Sequence, residues 1–141
     1  MKKTAVTTRP PVGEKSPSKA KKTPRARLLL VEDNDSTRGT LQKLLVDLNF
    51  DVSAASTVAG AWALVADSKF DVLLSDIGLP DGDGFLLMRE LKDRYGMSGI
   101  ALTGYALEDD FKLSKEAGFS IHLIKPIRAS VLDEALESLG I

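Results

Sequence analysis

Hydrophobic and polar residues alternate with two different periods along most of the chain. From about residue 27 onwards, short continuous apolar runs predict buried β-strands, and apolar residues spaced three and four apart predict helices that bury one face. Residues 28–31 form such a run, as expected for a central parallel strand that is covered on both faces. A helix capped by Asp35 or Ser36 follows, and its apolar stripe consists of Leu41, Leu44, Leu45 and Leu48.

The same alternation of strand and helix repeats to the end of the chain. Phe50, Val52 and Ala54 alternate with polar residues, which predicts a half-exposed strand at an edge of the sheet. Further strands are expected at residues 71–75, 100–103 and 119–124, and further helices begin near residues 57, 85, 108 and 130. The helix at 108–117 keeps mainly Phe111 and Leu113 as apolar residues. The last helix is expected to turn five residues inward, namely Val131, Leu132, Ala135, Leu136 and Leu139.

Five repeats of strand and helix predict an α/β fold. Right-handed crossovers place helices on both faces of such a sheet, so we expect a doubly wound five-stranded parallel sheet. The edge character of the second strand favours the flavodoxin-like strand order 2-1-3-4-5. We expect the domain with this fold to comprise residues 26–141.

Charge divides the chain into two parts. Residues 1–25 hold eight Lys and Arg against one Glu, so this segment carries +7 and the remainder −8 within the overall −1. The segment is rich in Lys, Pro, Ser and Thr and poor in large apolar residues, which predicts a disordered tail or linker. Because no aromatic residues are interleaved with its charges, we expect a solvated spacer rather than a nucleic-acid-binding arm.

Composition narrows the classes of protein to which the chain can belong. The 141 residues suffice for one domain with a real core. No cysteine is present, so neither disulfides nor thiol chemistry are available. The first residues lack the apolar stretch of a signal peptide, and the longest apolar run, residues 58–66, is too short to cross a membrane. We therefore expect a soluble cytoplasmic protein without membrane insertion.

Polar residues stand at the carboxyl ends of four of the five predicted strands, all but the second. Glu32 and Asp33 follow the first strand, Asp76 the third, Thr103 the fourth and Lys125 the fifth. The ends of parallel strands meet at one edge of a sheet, where ligands bind in open α/β folds. Taken singly, these residues are more often helix caps, turn hydroxyls or surface charges, so the hypothesis of a site depends on the whole set.

The three carboxylates at this edge predict a divalent cation, because they repel one another unless a cation lies among them. Mg²⁺ uses one or two protein carboxylates together with water and phosphate oxygens. This chemistry fits Asp33 and Asp76 as direct ligands, with Glu32 acting through water. Gly78, two residues after Asp76, could add its backbone carbonyl.

The loop after the third strand, residues 77–84, is punctuated by Gly and Pro. Its acids do not form a calcium loop, because Phe85 occupies the third ligand position. We interpret Asp81 and Asp83 as turn residues.

The same edge holds the parts that phosphoryl transfer needs. Asp76 is the candidate nucleophile, and the Lys125 ammonium with the Thr103 hydroxyl can neutralise charge on the phosphoryl oxygens. The product would be an acyl phosphate on Asp76. No residue is an obvious strong base for rapid hydrolysis, so we expect a phosphoacceptor that dephosphorylates slowly rather than an enzyme with outside substrates. His122, the only histidine, lies within the fifth strand on the side away from Lys125 and is interpreted as a packing or switch residue.

Four motifs make the chain from about residue 27 to 141 resemble the receiver domain of bacterial two-component response regulators, which has the CheY-like fold. They are VEDN at 31–34, SDIGLPDGDG at 75–84, ALTGYA at 101–106 and IKP at 124–126. The resemblance implies that a partner's phosphohistidine phosphorylates Asp76 and that Glu32 and Asp33 form the acidic magnesium pair. It also implies that Thr103 is the switch hydroxyl and that Lys125 contacts the phosphoryl group.

The resemblance also bears on switching and on the lifetime of the phosphoryl group. The family commonly has an aromatic residue three positions before the lysine, and His122 stands there in this chain. The surface around the fourth helix, fifth strand and fifth helix is the expected site of response. Gly78 and Tyr105 flank the phosphoryl position and are expected to tune the lifetime.

The partners implied by the resemblance are proteins. A sensor histidine kinase or a histidine-containing phosphotransfer protein would supply the phosphoryl group, and a protein effector would read it, without direct DNA binding. The loops look most like receivers attached to hybrid sensor kinases, and the chain is either a free-standing receiver or a fragment. Two other functions stay open: an interaction module that signals without phosphate, and an aspartate-nucleophile phosphatase.

Overall fold

A computed structural model describes residues 23–104 and 108–141 of the chain. Tyr105 and most of the predicted tail lie outside the described residues. The elements are β1 (Arg27–Val31), α1 (Asp35–Asp47), β2 (Asp51–Ala55), α2 (Val58–Asp67), β3 (Val72–Asp76), β4 (Gly78–Leu79), β5 (Gly82–Asp83), α3 (Gly84–Tyr95), β6 (Ser98–Thr103), α4 (Glu108–Ala117), β7 (Ile121–Ile124) and α5 (Ala129–Ser138). The predicted starts of the strands and helices agree with these bounds to within one or two residues.

Five of the strands form one parallel sheet in the order β2-β1-β3-β6-β7. Numbered within this sheet alone, the order is 2-1-3-4-5, so the predicted flavodoxin-like fold class is confirmed. β2 lies at one edge and is half-buried, as its alternating pattern predicts. β1 and β3 lie in the middle of the sheet, where helices cover both faces and an apolar side chain is needed at nearly every position.

The core has two parts, one on each face of the sheet. Leu28 and Leu30 of β1 point to the face covered by α1 and α5, where they pack with Leu41 and Leu132. The next residues of each strand point to the other face, which α2, α3 and α4 cover. Because helices occupy both faces, the carboxyl-terminal edge of the sheet is the surface left for a site.

The caps of the first two helices show how local hydrogen bonds fix the helix starts. Asn34, not Asp35 or Ser36, caps α1: its side-chain oxygen accepts a hydrogen bond of 2.8 Å from the Thr37 amide. Asp35 lies one residue into the helix and pairs instead with Arg38 at 2.7 Å. The predicted Thr57 cap of α2 is confirmed, since its hydroxyl accepts from the Gly60 amide at 2.9 Å.

Two helices expose apolar residues that the pattern assigned otherwise. In α4 the buried residues include Ser114 and Ala117, whereas Phe111 and Leu113 are 38% and 47% exposed. Small residues allow the α4 backbone to approach the sheet, which leaves the larger side chains at the surface. The prediction that Val131 faces inward is wrong, because it is 39% exposed while Leu132, Ala135 and Leu136 of α5 are buried.

The N-terminal junction of the domain is held by Arg25. Its guanidinium donates hydrogen bonds to the Asp133 carboxylate of α5 (2.7 Å) and to the Ile141 carbonyl (2.9 Å). The guanidinium also lies 4.6 Å from the centre of the Phe50 ring. The boundary at residue 26 stays a prediction because residues 1–22 are not described. Within the described ranges, no helix combines the length and apolarity needed to span a bilayer.

Gly39 offers a test of the balance between local propensity and fold. It lies in the exposed middle of α1, and a Cβ added there would meet nothing within 4 Å. Because glycine inside a helix is less favourable than alanine, we expect Gly39→Ala to raise the free energy of unfolding by about 0.5 to 1 kcal/mol in urea denaturation. Gly99→Ala is the control, because a Cβ there would collide with Met88 and lower stability. A Gly39→Ala protein less stable than the parent would contradict the prediction.

Candidate functional site

The carboxyl ends of β1, β3, β6 and β7 bring the predicted polar residues to one edge of the sheet. Asp76 is the last residue of β3 and Thr103 the last of β6, while Glu32 and Lys125 immediately follow β1 and β7. Parallel pairing keeps these ends level, and the Lys125 amide donates 2.7 Å to the Thr103 carbonyl. The edge predicted from the sequence is therefore present as one contiguous surface.

Three carboxylates form an acidic cluster at this edge. One oxygen from each of Glu32, Asp33 and Asp76 lies within 4.8 Å of the others. Glu32 is fully buried, whereas Asp33 is exposed and the Asp76 side chain is 13% exposed. Glu32 is held by its own loop, because its Oε2 accepts a hydrogen bond of 3.1 Å from the Asn34 amide. Glu32 is therefore the buried, fixed member of the cluster, and Asp33 lies on its solvent-exposed side.

Lys125 supplies the positive charge that faces this cluster. Its Nζ lies 2.7 Å from Oε1 of Glu32 and 3.1 Å from Oδ2 of Asp76. The shorter of the two contacts is with Glu32, the fully buried carboxylate. One ammonium therefore faces the three carboxylates of the cluster, so the site keeps a net negative charge, which favours the binding of another cation.

The titration of Asp76 reflects this shortage of positive charge. Burial raises the pKa of Asp76 from its ordinary value of 3.8 to about 6; the hydrogen bond from Lys125 lowers it, and the charge of Glu32 raises it. For Lys125, burial lowers the pKa, but the hydrogen bonds and charges of Glu32 and Asp76 outweigh it and the pKa is raised overall. At neutral pH the lysine is charged and Asp76 is mostly ionised.

The backbone around Asp76 is fixed by a small hairpin that the sequence pattern did not reveal. β4 and β5 pair antiparallel, with Gly78 opposite Asp83 and Leu79 opposite Gly82. At its base, the Gly84 amide donates 2.7 Å to the Ile77 carbonyl. Gly84 must be glycine here, because a Cβ would collide with the Asp76 carbonyl oxygen.

Two further predicted site residues lie at the ends of elements that border the acids. Thr103 is buried at the end of β6, and Gly78 begins the hairpin two residues after Asp76. Arg38, which sequence reasoning missed, donates 3.0 Å to the Glu32 carbonyl. Its position one helical turn after the VEDN motif was the available signal.

His122 is not part of the acidic edge. It pairs with Ala101 in the sheet, and its ring lies 4.3 Å from that of Phe111 on α4. Both ring nitrogens are buried without a hydrogen-bond partner in the part of the chain that is described. Burial lowers the pKa of His122, and the charge of Asp110 opposes this shift. The ring therefore packs against α4 as a mainly neutral group.

The fold and the acidic edge define a class of protein, and comparisons with known sequences agree. The family model of the response regulator receiver domain matches residues 28–137. The chain therefore belongs to the response regulator receiver domain family. An uncharacterized 14.6 kDa protein from the sodA1 3′ region of Leptolyngbya boryana is 35% identical over 103 residues, which cover 71% of this chain and 79% of that protein. Other curated relatives are longer, and the chain spans 42%, 49% and 50% of three of them.

Solved structures agree with the fold and with the family. The chemotaxis response regulator CheY4 of Vibrio cholerae superposes with a TM-score of 0.75 at 26% identity, covering 81% of this chain and 98% of that one. The receiver domain of the sensor histidine kinase PA1611 of Pseudomonas aeruginosa gives a TM-score of 0.72 at 28% identity, covering 80% and 95%. That structure holds a magnesium ion in its active-site cleft.

Proposed function

We propose that this chain is the phosphoacceptor of a two-component phosphorelay, with Asp76 accepting a phosphoryl group from a partner's phosphohistidine. The observation that carries the proposal is the convergence of Asp76, two further carboxylates and Lys125 at one edge of the sheet. In this role the domain promotes its own phosphorylation and slow dephosphorylation and acts on no outside substrate. A cytoplasmic location is part of the same proposal.

The residues at the edge fit Mg²⁺. Asp33 and Asp76 would be direct ligands, Glu32 would act through water, and Gly78 would add its backbone carbonyl. The support is chemical: the three acids offer hard oxygen atoms within 4.8 Å of one another, and the single ammonium of Lys125 balances only part of their negative charge. When bound, the ion would neutralise charge on the transferring phosphoryl oxygens.

Each side chain of the site would have a different role in phosphoryl transfer. A carboxylate oxygen of Asp76 attacks phosphorus and forms the acyl phosphate, while the bond between phosphorus and the partner's imidazole nitrogen breaks and that nitrogen takes up a proton. Lys125 stabilises the negative charge spread over the phosphoryl oxygens, and the Thr103 hydroxyl donates a hydrogen bond to one of them. With a pKa of about 6, Asp76 is mostly ionised at pH 7 and therefore available as a nucleophile.

The phosphoryl group would signal by favouring one of two conformations, to the extent that it interacts differently with them. The output surface comprises α4, β7 and α5, where Phe111, Ile124 and Val131 are about 40% exposed. Exposed apolar side chains of this size fit a protein effector. The phosphodonor would be a sensor histidine kinase or a histidine-containing phosphotransfer protein, without direct DNA binding. Tyr105, Gly78 and His122 would modulate lifetime and switching.

Beryllium fluoride, which mimics a phosphoryl group on aspartate, tests the proposal. We expect a stoichiometric, Mg²⁺-dependent adduct in ¹⁹F NMR spectra of the parent and none for Asp76→Asn. A pull-down from native lysate should then recover different proteins with the adduct and with untreated protein. A parent that forms no adduct, or an Asp76→Asn protein that forms the same one, would overturn the proposal.

A second function is favoured by His122. His122 stands at the switching position where the family commonly has an aromatic residue, and its ring packs against Phe111. This arrangement fits a domain that binds a partner without phosphate. In that case the affinity for a captured partner would be the same for Asp76→Asn and the parent, and beryllium fluoride would not change it.

A further inference from the structure

The hairpin that follows Asp76 is supported at two points. At its base the Gly84 amide bonds to the Ile77 carbonyl, directly beside Asp76. At its tip, in the turn of residues 80–81, the Asp81 carboxylate contacts the start of α2. Oδ1 accepts a hydrogen bond of 2.8 Å from the Val58 amide, and Oδ2 accepts one of 3.0 Å from the Ala59 amide. The tip of the loop is therefore attached to a helix 22 and 23 residues away in sequence.

The first turn of α2 has two caps from two different parts of the chain. Thr57, the residue just before the helix, accepts a hydrogen bond from the Gly60 amide. Asp81, from the distant loop, accepts hydrogen bonds from the amides of Val58 and Ala59. Helix ends leave such amides to water or to side chains, so α2 does not require a carboxylate from a distant loop. The negative charge of Asp81 also complements the positive end of the helix dipole. What Asp81 adds beyond an ordinary cap is a connection between α2 and the loop.

The contact between the loop and α2 is close along the hairpin. A Cβ at Gly82 would lie 3.1 Å from a methyl group of Val58, so the β5 backbone approaches the helix start directly. The backbone amides of Ala59 and Val58 lower the pKa of Asp81, which keeps its carboxylate charged at neutral pH. Both observations indicate that the loop is held against α2 when the protein is folded.

We infer that Asp81 is a positioning residue for the magnesium site: by fixing the hairpin tip to α2, it holds the Gly78 backbone where it can serve as a ligand. Gly78 lies in β4, the hairpin strand between Asp76 and the tip, so a hairpin released at Asp81 can pivot about Ile77 and displace Gly78. This inference rests on the proposed function, because it assigns Gly78 to the metal. Among the described residues, the side-chain hydrogen bonds of Asp81 go to the start of α2.

Calorimetric titration with Mg²⁺ alone, on three variants of the full chain, tests the inference. Asp81→Ala should raise the Kd about three- to tenfold, less than the roughly 10- to 100-fold seen when a direct partner of a ligand is lost. Asp81→Asn keeps an acceptor oxygen for only one of the two amides and should give a Kd between those of Asp81→Ala and the parent. Thr57→Ala is the matched control: it also removes a cap from α2 but leaves the loop attached, so its Kd should stay within about twofold of the parent.

A second measurement separates this inference from the proposed function. Hydrogen exchange of the amides of residues 78, 79 and 81–83, in the protein without Mg²⁺, should be faster in Asp81→Ala than in the parent and unchanged in Thr57→Ala. Parental exchange and affinity in Asp81→Ala, or an equal loss of affinity in Thr57→Ala, would overturn the role of Asp81. A parent that binds no Mg²⁺ would overturn the proposed function and the metal role together, and the exchange rates would still report whether Asp81 fixes the hairpin.

Discussion

Asp76→Asn is expected to make the metal-free protein more stable at pH 7 while removing its response to Mg²⁺. The folded protein holds an ionised Asp76 against burial and against the charge of Glu32, so that its pKa rises from 3.8 to about 6. A shift of this size corresponds to at most about 3 kcal/mol at about 1.4 kcal/mol per unit. Because the site is open on one side and Lys125 offsets part of the charge, we expect a gain of about 1 to 2 kcal/mol in urea denaturation.

The pH dependence identifies the cause of this gain. A carboxyl with a raised folded-state pKa contributes stability that is fully present below about pH 3.8 and is lost as the pH rises through about 6. The stability difference between Asp76→Asn and the parent should therefore be greatest above pH 6 and shrink towards pH 4. Asp67→Asn, at the exposed end of α2, is the surface control, and we expect it to change the free energy of unfolding by no more than about 0.5 kcal/mol. A difference that does not vary with pH would contradict the electrostatic explanation.

Mg²⁺ should reverse the order of stability. A ligand that binds only the folded state at a hundredfold excess over its Kd adds about 2.7 kcal/mol, and this gain should appear in the parent alone. If Asp76→Asn responded to Mg²⁺ as the parent does, Asp76 would not be a metal ligand.

Lys125→Met is expected to have the second large effect, in the opposite direction. Removing the ammonium leaves Glu32, which is fully buried, and Asp76 without the cation that lies 2.7 and 3.1 Å from them. Breaking a fully buried ion pair costs about 3 to 5 kcal/mol, and we expect about 2 to 3 kcal/mol here because the Lys125 side chain is one quarter exposed and Asp76 can take up a proton. Urea denaturation at pH 7 without Mg²⁺ measures the loss.

Mg²⁺ or a second substitution should restore the stability lost in Lys125→Met. Mg²⁺ brings positive charge back to the cluster, and the additional substitution Glu32→Gln removes the buried charge that Lys125 balances. Lys112→Met, on the exposed side of α4, is the matched control and should leave stability nearly unchanged. Equal stabilities for Lys125→Met and Lys112→Met, or a Glu32→Gln substitution that adds to the loss, would contradict the ion-pair geometry.

The sequence predicted the fold and the edge of the site because both depend on strong, local patterns. The apolar run at 28–31 requires helices on both faces, and once the strands are parallel, Asp76, Thr103 and Lys125 must share an edge. The roles of these residues in phosphoryl transfer, and that of Mg²⁺, stay proposals. Tyr105 lies outside the described residues.

Features that depend on contacts between distant segments could not be predicted in this way. Strands of two residues, such as β4 and β5, are too short to show a period. The attachment of Asp81 to α2 joins segments more than twenty residues apart, and nothing in the sequence around Asp81 distinguishes it from a turn residue. In α4, the small Ser114 and Ala117 take the buried face, so a pattern based on large apolar residues selected the exposed side.

Mass spectrometry after incubation with acetyl phosphate tests the central claim most directly. The parent should gain a single phosphoryl group in the presence of Mg²⁺, peptide mapping should place it on Asp76, and the modification should be lost on treatment with hydroxylamine, as an acyl phosphate is. Asp76→Asn should gain none. Phosphorylation of another residue, or an unmodified parent under the same conditions, would contradict the account.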